Sequence, residues 1–160
     1  MDKEAFERQL LALGGAMYRV ASSILPRQCD REDAIQDTIL AALQKQERLR
    51  EERALRAWVM RILVNNCYDI LRAQQRERST DVLPEAPWES PADADLMLRD
   101  LLLSLPEEQR LILVLFYVEG YKLREIADIL HLPVGTVQSR LHRAKQILRH
   151  HMTLEKEDLL

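Results

Sequence analysis

The sequence predicts an all-α chain: two small helical domains joined by an acidic, proline-containing linker. Three observations predict it. Apolar residues recur at three- and four-residue intervals through most of the 160 residues, which marks helices buried along one stripe. No stretch alternates apolar and polar residues for long enough to make a strand. Residues 79–95, STDVLPEAPWESPADAD, break the helical period with three prolines and a run of acids, as a flexible or extended connection does. The predicted division is therefore 1–78, a linker at 79–95, a second domain at 96–152 and a tail at 153–160.

Composition narrows the function. A chain with 47% apolar and 31% charged residues is ordinary for a soluble globular protein, and no apolar run is long enough to span a bilayer. The opening MDKEAFERQ is charged and lacks a signal-peptide core, so the cytoplasm is the expected compartment. Cys29 and Cys67 form no CxxC pair and have no nearby histidine partner, and His131, His142, His150 and His151 show no ligand spacing. Reduced thiols and no metal or cofactor are expected. No nucleophile–base pair or glycine-rich phosphate loop is recognisable, which argues against an enzyme. The net charge of −3 argues against a polyanionic partner until its distribution is read. Residues 120–150 carry six Lys and Arg against two acids, whereas residues 81–105 carry six acids against one Arg. Local field decides where a polyanion binds.

In chain order, Phe6, Leu10, Leu13, Met17, Val20 and Ile24 predict one helix from about Ala5 to Leu25, weakened but not broken at Gly14 and Gly15. Pro26 closes it. Asp30 is the expected N-cap of the next helix, with Glu32 and Asp33 in its first turn. That helix runs to about Leu49 and turns Ile35, Ile39, Ala42 and Leu43 inward. Gln36, Asp37 and Leu40 lie on its other side, where periodicity favours a solvated face over a docking one. After the charge-dense KQERLREERALR, a long helix from about Ala54 to Arg76 has an apolar stripe through Leu55, Trp58, Val59, Ile62, Cys67 and Ile70. A separate face carries Arg61, Asn65, Tyr68, Arg72 and Arg76, groups of the kind that hold single-stranded or distorted nucleic acid.

Beyond the linker, Leu96 to Leu105 forms a short leucine-rich helix. Pro106 then sits in the first turn of another, which runs through LILVLFYVE to a C-terminal cap at Gly120. In the final stretch Leu123, Ile126, Ala127 and Leu130 make one apolar face, and Pro133 interrupts the helix. Val137, Leu141, Ala144 and Leu148 make the next. Two short amphipathic helices joined by a tight turn can pack as a helix-turn-helix, whose second helix fits a DNA major groove. Arg140 and Arg143 suit phosphates or guanine edges, Gln138 suits adenine, and Thr136 and Ser139 lie where helix N-terminal amides attract phosphate. Lys145 adds a cation to this side. An ordinary helical hairpin with a solvated basic face has the same pattern.

DREDAIQDTILAAL (Asp30 to Leu43), RAWVMRILVNNCYDILR (Arg56 to Arg72) and LPEEQRLILVLFYVEGYKLREIADILHLPVGTVQSRLHRAKQIL (Leu105 to Leu148) occur in that order. In these motifs the chain resembles the extracytoplasmic-function sigma factors, bacterial subunits of the sigma-70 family that direct RNA polymerase to promoters. The resemblance covers most of the chain. It implies that 1–78 is region 2 and 96–152 is region 4. It implies that Asp33, Gln36, Asp37 and Leu40 dock on the coiled coil of the polymerase β′ clamp, against the reading from periodicity. Arg61, Asn65, Tyr68 and Arg72 would then open and read the minus-10 element, and the loop at Glu47 to Arg53 would shape a pocket for a flipped-out base. Thr136, Gln138, Ser139, Arg140, Arg143 and Lys145 would read the minus-35 element.

The resemblance also implies passage of the linker through the RNA-exit channel. It implies control by an anti-sigma factor, often membrane-anchored, over a chain that is monomeric when free. Two positions depart from the family pattern: Ile39 stands where an aromatic residue is common, and Gln138 where a basic one is. The same helix-turn-helix also serves repressors and activators that dimerise on two-fold half-sites.

Overall fold

The computed structural model describes residues 1–78, 88–90 and 95–158. Most of the expected linker, residues 79–87 and 91–94, lies outside the described residues. Among the described residues there is no strand, and the chain forms two compact units, one built on residues 1–89 and the other on most of residues 90–160.

The first unit holds four helices: α1 (Lys3–Ala12), α2 (Gly14–Ser22), α3 (Gln28–Gln44) and α4 (Leu55–Arg78). The single helix expected over Ala5 to Leu25 is two. Asp2 caps the first, its carboxylate accepting from the Ala5 N–H at 2.7 Å. At Leu13 the backbone N–H turns to the Leu10 carbonyl at 3.1 Å, a tighter turn than an α-helix makes. Gly14 and Gly15, poor helix formers, follow directly and let α2 restart there. The stripe survives the break, with Phe6, Leu10, Met17, Val20 and Ile24 all buried.

Helix α3 differs from expectation at both ends. Asp30 does not cap it: Arg27 occupies the cap position, and the Asp30 carboxylate instead accepts from Gln74 Nε2 of α4 at 2.7 Å. The helix stops at Gln44, and two 3₁₀ turns, Gln46–Arg48 and Glu52–Ala54, lead into α4. Its buried side is Arg31, Ala34, Thr38 and Ala42; Ile35 and Ile39 are only half-buried, and Leu43 is exposed. The core stripe of α4 likewise rotates from the expected one. Leu55, Val59, Met60, Leu63, Val64 and Cys67 are buried, leaving Trp58, Ile62 and Ile70 at the boundary. Trp58 meets Phe6 edge-on at 6.3 Å between centroids, a packing aromatic.

The second unit holds α5 (Leu96–Leu103), α6 (Glu107–Leu113), α7 (Leu123–Leu130) and α8 (Val134–Asp158). Asp95 caps α5, accepting from the N–H groups of Met97 and Leu98 at 3.0 and 3.3 Å. Pro106 is the cap residue of α6 rather than part of its first turn. A π-helical turn, Val114–Val118, ends α6, and Gly120 follows at φ 76. That left-handed backbone is the terminator expected there. Helix α8 continues well past Leu148, so most of the expected tail is helical. Leu105, Leu111, Ile112, Leu115, Ile126 and Val137 are buried in this unit.

The break between α1 and α2 yields a stability test. A Cβ at Gly14 would meet nothing within 4 Å and its φ is not positive, so glycine there only adds freedom to the unfolded chain. Gly14→Ala is expected to raise unfolding stability by about 0.5–1 kcal/mol in urea titration. An unchanged or lowered midpoint would mean that the α1–α2 break needs glycine.

Candidate nucleic-acid and partner interfaces

With Ala34, Thr38 and Ala42 turned inward, α3 must present the opposite side. Asp33, Gln36, Asp37 and Leu40, at i, i+3, i+4 and i+7, are all exposed. They share one helix face. Leu40 is 57% exposed and follows two carboxylates on the same face, a chemistry suited to a partner helix that offers an apolar side chain and cations. Ile39, where the family pattern is aromatic, is half-buried beside this face.

Helix α4 is divided in the same way. Arg61, Asn65 and Arg72 are exposed and Tyr68 is half-buried, and steps of four, three and four residues align them on one side. Arg72 pairs with Asp69, both well exposed. A surface pair of this kind is weak, on the order of 0–1 kcal/mol, and leaves the guanidinium available to a phosphate.

The charge-dense segment before α4 encloses a cavity of about 460 Å³ whose lining includes Phe6, Leu43, Gln46, Glu47, Leu49 and Arg50. Next to it Arg53 donates to the Glu51 carboxylate at 2.9 Å. That hydrogen bond, with the attraction of opposite charges, holds Glu51 below its ordinary carboxylate range and raises Arg53 above its own. Both therefore stay charged at neutral pH.

In the second unit α7 opens with the Lys122 N–H donating to Glu125 Oε1 at 2.9 Å. It ends at His131, whose φ of 55 is left-handed. A histidine rather than a glycine makes this turn, and the Leu132 N–H returns to the Ala127 carbonyl at 3.0 Å. Pro133 then accepts from the N–H groups of Thr136 and Val137 at 3.0 and 3.2 Å, so the next helix starts at once. Val137, Leu141 and Ala144 are buried and Leu148 is half-buried, which is the predicted inward stripe.

The predicted DNA-reading residues of α8 divide into two groups. Gln138, Ser139 and Arg143 are exposed, and the Ser139 hydroxyl donates to the Gly135 carbonyl at 3.0 Å. Thr136 is half-buried. Arg140 leans toward α6, its guanidinium 3.5 Å from Glu108 Oε2 and its side chain 27% exposed. Lys145 is half-buried, with Nζ 5.4 Å from the centre of the Tyr117 ring. His142 and Gln146, to which residue type assigned no role, are exposed beside Gln138 at i+4 and i+8. The helical period places both on the polar side of α8. Among the described residues no three His, Cys, Asp or Glu side chains are grouped to hold a metal ion, and no helix is long and apolar enough to cross a membrane. Cys29 is exposed, Cys67 is buried, and neither is in a disulfide.

Comparison with known proteins gives these faces a context. The family model for sigma-70 region 2 matches residues 11–77, and that for sigma-70 region 4 matches residues 95–148. The RNA polymerase sigma factor SigV of Bacillus subtilis is 35% identical over 147 residues, covering 89% of this chain and 86% of that protein. The ECF sigma factor SigM of Mycobacterium tuberculosis is 31% identical, covering 90% of this chain and 75% of its own length. Among solved structures, the sigma factor RpoE of Bartonella quintana, in complex with the anti-sigma factor NepR, superposes with a TM-score of 0.83 at 28% identity. That match covers 94% of this chain and 98% of RpoE. CnrH, in complex with the cytosolic domain of CnrY, superposes at 0.70 with 26% identity, covering 96% and 90% of the two chains. With both region models in order and relatives matched over most of their length, the chain belongs to the extracytoplasmic-function sigma factors of the sigma-70 family, which are transcription initiation factors and not enzymes.

Proposed function

We propose that the chain divides promoter recognition between its units, with polymerase docking and strand opening assigned to the first and duplex reading to the second. The observation that carries this is the partition of α3, α4 and α8 into a buried stripe and an exposed polar face. Asp33, Gln36, Asp37 and Leu40 dock on the β′ clamp coiled coil of core polymerase. Arg61, Asn65, Tyr68 and Arg72 hold the unstacked minus-10 strand, with Tyr68 as a stacking surface and the arginines on phosphates. The cavity at Gln46 to Arg50 receives a flipped-out base, offsetting an unstacking cost on the order of a few kcal/mol. Opening is favoured because the protein binds the single strand better than the duplex.

On the minus-35 duplex, Arg143 contacts a guanine edge and Gln138 an adenine, with Thr136 and Ser139 positioning the entry of α8. Arg140 and Lys145 exchange Glu108 and the Tyr117 ring for phosphates and contribute a salt-sensitive share of affinity. The free chain is a cytoplasmic monomer, its acidic linker passes through the RNA-exit channel, and a membrane-anchored anti-sigma factor masks it.

Run-off transcription with purified core enzyme on a genomic template library tests the whole reading. New start sites that depend on the chain support it; unaltered initiation, or a DNA-bound dimer indifferent to core, would refute it. Arg143→Ala is expected to weaken promoter binding by about 1–3 kcal/mol and to relax preference at one base pair, measured by fluorescence anisotropy on mutated minus-35 duplexes. Unchanged affinity together with unchanged preference removes Arg143 from the base-reading set. Asp37→Arg is expected to abolish co-elution with core polymerase while the helical circular dichroism spectrum stays wild-type. Normal co-elution would show that α3 docks elsewhere.

A further inference from the structure

Arg31 is 1% exposed, yet the partners described for it are neutral oxygens and a ring. Nε donates to the Leu25 carbonyl at 2.8 Å, and Nη2 donates to the Pro26 carbonyl at 3.1 Å and to the Glu89 carbonyl at 2.7 Å. The guanidinium carbon lies 5.9 Å from the centre of the Tyr18 ring. Leu25 and Pro26 are local, but Glu89 arrives from 58 residues further along the chain. Two more bonds fix it there. The Glu89 N–H donates to the Pro26 carbonyl at 2.8 Å, and the Gln28 N–H, first in α3, donates to Glu89 Oε2 at 2.9 Å. Helix α3 has no capping side chain of its own. Glu89 supplies one, and its charge sits at the positive end of the helix dipole.

We propose that the head of α3 is a binding site for an extended peptide that carries a carboxylate, and that the chain's own Trp88–Glu89 fills it as a detachable strap. The site recognises three features of one residue at once: its N–H, its C=O and its side-chain carboxylate. Detachment follows from how shallowly the strap is buried. Glu89 is exposed and Trp88 only half-buried, whereas the core of the unit is made by residues of α1 to α4 such as Phe6, Met17, Val59 and Leu63. Lifting the strap would free an Arg31 donor and the Gln28 N–H without opening that core. It would do so within three turns of Asp33 and Asp37, placing control of the connecting segment on the helix that carries the exposed acidic face. The inference goes beyond the division of labour proposed above and does not depend on it.

The full chain carrying Glu89→Lys or Glu89→Gln tests the strap by amide exchange at Gln28. Acrylamide quenching in a Trp58→Phe background, where Trp88 is the remaining tryptophan, gives a second reading. Glu89→Lys is expected to speed Gln28 exchange about five- to tenfold and to raise Trp88 quenching, while Val64 in the core keeps its protection. Glu89→Gln, which retains an oxygen acceptor without the charge, is expected to fall between. Wild-type exchange and quenching in Glu89→Lys would overturn the site. Loss of protection across α4 as well would make Glu89 part of the core and overturn the detachable strap.

Discussion

Asn66 of α4 reaches Thr38 of α3, its Nδ2 donating to Oγ1 at 3.1 Å, on a buried side of α3 where Ala34 and Ala42, one turn before and after Thr38, are small. The Thr38 hydroxyl in turn donates to the Ala34 carbonyl at 2.7 Å, so the buried polar pair is satisfied from both sides. Small side chains let two helices approach closely, but they specify rotation and register poorly, because an alanine face fits many holes. A directional bond at its centre removes that freedom. It sets which side of α3 and which side of α4 are left over, and those leftover sides are the two faces proposed for docking and strand capture. A slip of one residue would carry Asp37 or Asn65 about 100° around its helix, so the docking and strand capture proposed for these faces would both depend on this contact.

The second unit solves a comparable problem with backbone rather than side chains. Helix α6 must bury Leu111, Ile112 and Leu115 while leaving Tyr117 outside. The π turn over Val114–Val118 widens the helix there, the Glu119 N–H reaching back to the Val114 carbonyl at 3.0 Å. Gly120 then reverses the chain. Tyr117, 55% exposed, stands where Lys145 can lie over its ring. An irregular turn in one helix thus helps to set a side chain of α8, as local departures from α geometry often do at functional places.

The helical fold and both proposed faces of the first unit were legible in the sequence because they are periodic, and periodicity needs only local information. The roles of those faces were not; they came from the motifs' resemblance to a family. What the sequence hid shares one cause, a partner distant along the chain. Arg31 reads as a solvated helix residue until Glu89 closes over it. Asp30 has the identity of an N-cap, yet Gln74 claims it. Met60, Leu63 and Val64 fall outside the stripe that periodicity picks for α4, because in a helix packed against several neighbours more than one ridge is apolar and the sequence does not say which is deepest. Arg140 and Lys145 look equivalent to Arg143 in the sequence, and only Glu108 and Tyr117 distinguish them.

That last distinction bears on how an acidic protein grips a polyanion. Arg72, Arg140 and Lys145 each have a partner already, Asp69, Glu108 and the Tyr117 ring respectively. An exposed pair such as Arg72–Asp69 holds a long side chain in place at a gain of only about 0–1 kcal/mol. Exchanging such a partner for a phosphate loses little and gains counterion release. Asp69 and Glu108, being negative, also lower the local positive field around Arg72 and Arg140. Gln138 and Arg143 carry no such counter-charge among the described contacts, and in the proposed function they are the two that meet base edges. Under the proposed function the chain would thereby give its cations different work, with paired ones gripping the backbone and Arg143 reading the bases.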